Sequence, residues 1–292
     1  MSPQLIANIV VLAAIYALVS AGYVLVYRVS HVLNLAHGEL MMIGAYILVA
    51  TAGLFSGNPI LALLLAAVSG LVMGLVVYAV LMRWLTGEAV LAAVLVTIAL
   101  GILLRGLSIL IWTTQQFYPA AIFGWRNPPV HILPGVQISV ASLAIVALTI
   151  IVYAALFLFL QFTAWGVRMR AAGQNPLLAE QRGIRLHAVY ALAWGLSTFT
   201  ASLAGMLLSL DSGVESTMAT IGLKAFPAAL VGGLDSLFGA LVGALIVAAA
   251  EIAAIQFVNP LLSDVVPFLV LLLVLAVRPW GLFGSREQLD RV

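Results

Sequence analysis

Apolar residues along this chain come in runs longer than the core of a soluble domain uses, and the polar residues interrupting them are few. The stretches 1–27, 40–82, 127–167 and 186–210 contain no Asp, Glu, Lys or Arg. A helix needs about 20 apolar residues to cross about 30 Å of hydrocarbon, so each stretch holds at least one crossing. Pro, Gly and charge punctuate the runs. They predict spans near 5–27, 32–54, 60–82, 89–112, 138–160, 188–210, 237–258 and 262–278, with a shorter interrupted segment at about 218–235. The expected fold is all-α: a polytopic integral membrane helix bundle of about 8–9 membrane segments, one of them interrupted or re-entrant. Connections are short apart from 113–137 and 161–187, and no shift in composition marks a linker, so residues 1–292 read as a single transmembrane domain. The first 27 residues lack a basic n-region and exceed a signal-peptide core, so they read as a retained span followed by Arg28.

Composition sharpens this picture. Of 292 residues, 64% are apolar and 8% charged, against about 25% charged in a soluble domain. Too few charges exist to cover a water-facing surface, which excludes a soluble enzyme as the whole chain, and the same numbers exclude disorder. Placement of the charges sets orientation. The segment 161–187 carries Arg168, Arg170, Arg182 and Arg185 against the single acid Glu180, so it is expected in the cytoplasm. Counting back through the spans puts Arg28 and Arg83 inside and the amino terminus outside. Arg278, Arg286 and Arg291 put the carboxy terminus inside only if 218–235 crosses.

Several chemistries are absent from the sequence. Without cysteine there is no disulfide or thiolate metal site. The only lysine, Lys224, stands between Leu223 and Ala225, so no P-loop exists. His31, His37, His131 and His187 are too scattered for a helical metal pair, and no basic stripe suits nucleic acid. Neither a catalytic centre, a metal site nor a cofactor is expected.

Glycine spacing points to close helix packing. Gly70 with Gly74, and Gly239 with Gly243, form GxxxG pairs that put both glycines on one face. Three polar regions remain. In Asn34-Leu35-Ala36-His37-Gly38-Glu39, a continuous helix would place His31, Asn34 and Gly38 on one face, with His37 and Met41 on a neighbouring one. This patch reads either as part of a translocation route or as a structural cluster capping and bridging helices. At 222–243, Gly222, Lys224, Pro227, Gly232, Gly233 and Asp235 interrupt an apolar run. Broken backbone is tolerated only against protein or a wet cavity, and one such segment in each half points to a mid-membrane site. Lys224 and Asp235 themselves read as the ends of a helix–turn–helix at the membrane surface.

The third region is the basic loop. Gly173 is expected to end one helix in a left-handed cap, Asn175 to cap the next and Pro176 to open it. Residues Leu177 to Arg182 then make under two turns, about 9 Å, before Gly183 stops them, with Arg182 complementing the helix dipole. Isolated helices need about 12–15 residues, so this one must be held by packing. It exposes Leu177, Leu178 and Ile184, and reads either as a docking helix for a cytosolic partner or as a plain surface turn packed on its own bundle.

Together, the 34–39 motif with Gly44-Ala45-Tyr46, the Arg170-Ala171, Ala179 and Gly183-Ile184 loop, and Lys224-Ala225-Phe226 with Gly232-Gly233 resemble the LivH-type permeases of branched-chain amino acid ABC transporters. The loop is similar to the segment through which importer permeases touch their ATPases. That resemblance implies coupling through Ala179, Gly183 and Ile184, which adds to the reading of Leu177, Leu178 and Arg182 as parts of a docking helix, while the candidate path residues remain those of the two interrupted segments, Asn34, His37, Gly38, Glu39, Gly232 and Gly233. It also implies a LivM-like second permease, two cytosolic ABC ATPases, an extracytoplasmic solute-binding protein and a bacterial inner-membrane location. Permeases for urea or short-chain amides are of closely similar type. A stand-alone channel or secondary carrier would need no docking helix, and a membrane enzyme using His37 and Glu39 would lack a nucleophile.

Overall fold

A computed structural model describes residues 2–285 and turns the apolar runs into helices whose ends are set by the residues that interrupt them. In chain order these are α1 (Pro3–Ser30), α2 (His37–Leu54), α3 (Pro59–Val80), α4 (Val90–Trp112) and the single turn α5 (Pro119–Ile122). A hairpin of β1 (Pro129–Leu133) and β2 (Val136–Ser139) follows. Next come α6 (Val140–Phe162), α7 (Ala164–Gln174), α8 (Pro176–Gln181), α9 (Leu186–Ser212), α10 (Ala219–Gly232), α11 (Leu237–Phe257) and α12 (Val266–Val277). Side-chain oxygens of Ser2, Asn58, Ser139, Thr163, Asn175 and Ser236 accept from free amides of the helix starts they precede. Among the described residues seven helices, namely α1, α2, α3, α4, α6, α9 and α11, are long and apolar enough to cross a membrane, and the protein is a polytopic helical membrane protein.

Polar contacts separate two faces. At one, Gln4 bonds Gln137, Asn127 and Ser139 donate to Asp211, and Gln116 donates to the Ser212 carbonyl; this is the hairpin face. At the other, Asp235 accepts from the Ser285 amide, and Arg28, Arg170, Asp235 and Ser285 line one cavity of about 420 Å³; this face carries α7 and α8. Since Ser212 lies at the hairpin face and Asp235 at the α7–α8 face, the chain crosses between them. Arg278 therefore ends on the α7–α8 face; Arg286 and Arg291 lie outside the described residues.

The centre is built on α1 and α9. In their most apolar stretches 83% and 72% of residues are buried, against 22–28% for the outer helices α3, α4 and α6, whose apolar surface is left largely exposed. Both GxxxG pairs act as the spacing predicts. A methyl on Gly70 or Gly74 would run into Ser202 and the Trp194 carbonyl of α9, and one on Gly239 or Gly243 into the Gly232 and Ala228 carbonyls of α10. Lipid tails are as apolar as leucine, so such backbone contact is what distinguishes helix–helix from helix–lipid packing.

Four features depart from the sequence reading. Residues 31–36 are not helical: His31 adopts a left-handed conformation (φ 54°), and α2 starts only at His37, so His31, Asn34 and Gly38 share no helix face. The span expected over 262–278 is shortened, because Asn259 and Pro260 start a 3₁₀ turn through Asp264 and leave α12 only Val266–Val277, about 18 Å long. The connection 113–137 carries a β-hairpin, whose antiparallel ladder satisfies backbone groups outside the helices. Gly173 is no left-handed cap; it lies inside α7, which Thr163 begins after the break that ends α6.

Gly173 serves contact instead. A methyl there would collide with the Arg28 carbonyl at the end of α1. Gly173→Ala is therefore expected to lower the thermal unfolding midpoint in detergent, at a cost of about 1–3 kcal/mol. An unchanged midpoint would show that α1 and α7 part freely.

Candidate translocation and coupling sites

The two broken segments meet in the interior. After α1 ends at Ser30, residues 31–36 turn back along it, so that the His37 ring lies against Gly22 and the Val19 carbonyl. Gly22 precedes Ser30 by about 12 Å of helix rise. From the opposite face, residues 213–218 leave α9 at Ser212 and descend to start α10 at Ala219. The junction is glycine on glycine. A methyl on Gly222 would overlap the Gly38 Cα, and one on Gly38 would overlap the Ala219 carbonyl. Two helices thus begin inside the protein with their amino ends together.

The residues of the 34–39 motif diverge from this junction. His37 is fully buried, its Nε2 is 3.1 Å from the Val19 carbonyl, and its ring centroid is 4.4 Å from that of Tyr23. Its Nδ1 and the buried Asn34 Nδ2 have no hydrogen-bond partner among the described residues. Asn34 Oδ1 accepts from the Ala36 amide, a short bond that turns the chain into α2. Glu39 points the other way, toward α4, where its Oε1 is 3.0 Å from Arg105 Nη2. Gly232 and Gly233 do not join this group. They lie at the α7–α8 end of α10, about 15 Å of helix from Gly222. Gly232 packs on Gly239, and Gly233, in a left-handed conformation (φ 106°), packs on Gly284. The partner of the first motif is therefore Gly222.

Lys224 is not a surface marker. Its side chain is 13% exposed, and Nζ lies 3.2 Å from Glu251 Oε1 and 2.7 Å from Asp264 Oδ1. Glu251, itself buried, accepts from the Tyr16 hydroxyl at 2.6 Å. Register explains the pairing: α10 and α11 form an antiparallel hairpin in which Gly232 faces Gly239 and Ala228 faces Gly243. Extending that register puts Lys224 opposite Val247, one helical turn from Glu251 and within reach of a lysine stem. Asp235, by contrast, does sit in the turn between the two helices, as expected. Tyr16 carries no sequence signal of its own, because a tyrosine in an apolar helix is ordinary.

On the α7–α8 face the capped helix forms as the sequence predicts. Asn175 accepts from the Leu178 amide and Pro176 opens α8. Gly183 takes the left-handed conformation (φ 80°), and its amide donates to the Glu180 carbonyl. Leu177 and Leu178 are 74% and 57% exposed, whereas Ala179 is buried and its carbonyl accepts from the Ile184 amide at 3.0 Å. Arg182 is exposed at the end of the helix, and Ile184 is half-buried. A groove of about 380 Å³, lined by Met82, Glu88, Leu177, Glu180 and Tyr190, separates α8 from the α3–α4 connection.

Residues 5–275 match the family described as the permease component of branched-chain amino acid transport systems. The high-affinity branched-chain amino acid transport system permease protein LivH of Escherichia coli (strain K12) is 30% identical over 296 residues, covering 98% of this chain and 96% of that protein. BraD of Pseudomonas aeruginosa, described by the same function, is 31% identical over 301 residues, covering 99% and 97%. A probable LivH of Methanocaldococcus jannaschii is 27% identical over 297 residues, covering 94% and 90%. No solved structure matches.

Proposed function

Since the chain belongs to the permease family of branched-chain amino acid transport systems, we propose that it is one membrane subunit of an ABC importer for branched-chain or related hydrophobic amino acids. In this reading the chain is one permease domain that pairs with a second, LivM-like permease to form the path. Two cytosolic ATPases supply the energy, and an extracytoplasmic binding protein delivers the cargo. The protein resides in the inner membrane with the α7–α8 face in the cytosol, an orientation supported by Arg168, Arg170, Arg182 and Arg185 on that face.

The observation that carries the reading is the exposed Leu177–Leu178 pair on a helix of six residues, locked from behind by Ala179. A short rigid knob presenting two apolar side chains into water is suited to a socket on another protein. Leu177, Leu178, Arg182 and Ile184 would meet the ATPase, while Ala179 and Gly183 hold the knob in shape. Movement of α8 passes to α7, then through the Gly173–Arg28 contact to the end of α1. Residues 31–36 continue from there to the junction of Gly38 and Gly222. Asn34 and His37 border that junction on the α1 side and Glu39 on the α4 side, and Gly232-Gly233 serves as the hinge at the cytosolic end of α10. The cycle is a two-state change biased by differential binding of the ATPases.

Changing Leu177 and Leu178 together to Asp is expected to strip the ATPases from purified complexes and to reduce ATP-driven leucine uptake by at least about tenfold, since anchor residues each contribute about 2 kcal/mol or more. Leu178→Cys should also crosslink to an ATPase in intact cells. Normal uptake by the double variant would refute the coupling role of α8.

A further inference from the structure

A carboxylate lies exposed at a depth where lipid cannot accommodate one. The end of α12 is tied to the α7–α8 face, because the Leu282 and Phe283 amides donate to the Val231 and Gly232 carbonyls. From that end α12 rises only about 18 Å, so Asp264, just ahead of it, stands within the hydrocarbon rather than at its edge. Lys224 fixes the same depth independently: it bonds both Asp264 and Glu251, and Glu251 bonds Tyr16 in the middle of α1. Yet the Asp264 side chain is 76% exposed. Ionisable groups at such depth face a bundle interior or a wet cavity, so this flank of α10, α11 and the 3₁₀ turn faces the interior of the assembly and not lipid.

The charges do not balance. One ammonium serves two carboxylates, and the buried Glu251 already has both Lys224 and the Tyr16 hydroxyl. The cluster carries one negative charge in excess, and Asp264, 2.7 Å from Lys224, is its outward-facing carboxylate. Lys224 has three N–H donors and uses two of them, leaving one. Leu261, 84% exposed, and Val265, 48% exposed, flank the carboxylate. An anion, a spare ammonium donor and an apolar neighbour are what a zwitterion with a hydrocarbon side chain requires.

We propose that Asp264 and Lys224 form a docking point within the membrane for the amino-acid cargo, Asp264 accepting from its α-ammonium group and the free N–H of Lys224 donating to its carboxylate, with Leu261 and Val265 beside its side chain. The inference rests on the reading of the cargo as an amino acid. Both charged ends of the cargo are thereby satisfied within the membrane, and the bonds are few enough for release.

The test uses the complete assembly, both permeases with the ATPases and binding protein, in proteoliposomes supplied with radiolabelled leucine. Asp264→Asn is expected to lower uptake per ATP hydrolysed by about tenfold or more, the loss of one charge-assisted bond, and Asp264→Glu to restore most of it. In the unmodified assembly, the diazirine analogue of leucine should label the segment containing Leu261 and Val265 during turnover, a readout that does not depend on any variant folding. Wild-type uptake per ATP in Asp264→Asn, loss of the second permease from that variant's complex, or absence of label from 258–266 would each overturn the docking point while leaving the importer reading intact. An unmodified assembly that carries no amino acid would overturn both.

Discussion

Lys224→Met is expected to remove most folded protein from the membrane, and Lys224→Met combined with Glu251→Gln to restore it. The single change leaves the Glu251 carboxylate, 5% exposed, without its cation. Breaking a buried pair from one side costs about 3–5 kcal/mol, comparable to the roughly 5–15 kcal/mol that holds many folded proteins together. The second change replaces the stranded charge with an amide that still accepts from the Tyr16 hydroxyl. Size-exclusion profiles of detergent extracts read the outcome directly. A monodisperse peak of wild-type height from the single variant would mean that water or lipid headgroups already solvate Glu251, and the buried cluster would lose its structural role.

The second large effect is expected at the helix junction. Gly38→Ala and Gly222→Ala each place a methyl on backbone, not on a flexible side-chain end, so neither neighbour can rotate away. Overpacking of this kind costs about 1–3 kcal/mol. Because both changes force the same two helices apart, the double variant should cost less than the sum of the singles, a coupling that a double-mutant cycle measures. Thermal midpoints in detergent supply the energies, and leucine uptake shows whether the junction must close for transport. Additive midpoints would mean that the two glycines relax independently and do not form one contact.

How much of this was legible beforehand depended on whether the signal was local. The cap at Asn175, the start at Pro176 and the stop at Gly183 are each set by a residue's own backbone preference, so α8 was readable almost to the residue. The GxxxG pairs were readable as contact faces for the same reason, although not which helices they would meet. Gly173 misled because glycine serves two purposes, left-handed backbone and close approach, and only the presence of Arg28 across the gap selects the second. The motif at 34–39 was visible as a polar interruption, but its helical-face arithmetic failed where His31 turns out of the helix.

The sequence alone determined that the chain crosses a membrane many times, since about 20 apolar residues without charge have no stable place in water. It also determined where the short helix α8 begins and ends. Only the tertiary structure decided that Lys224 is shared by Glu251 and Asp264 and that Gly38 rests on Gly222. Those partners lie on separate helices, and nothing in the periodicity of one helix encodes the register in which another will lie against it.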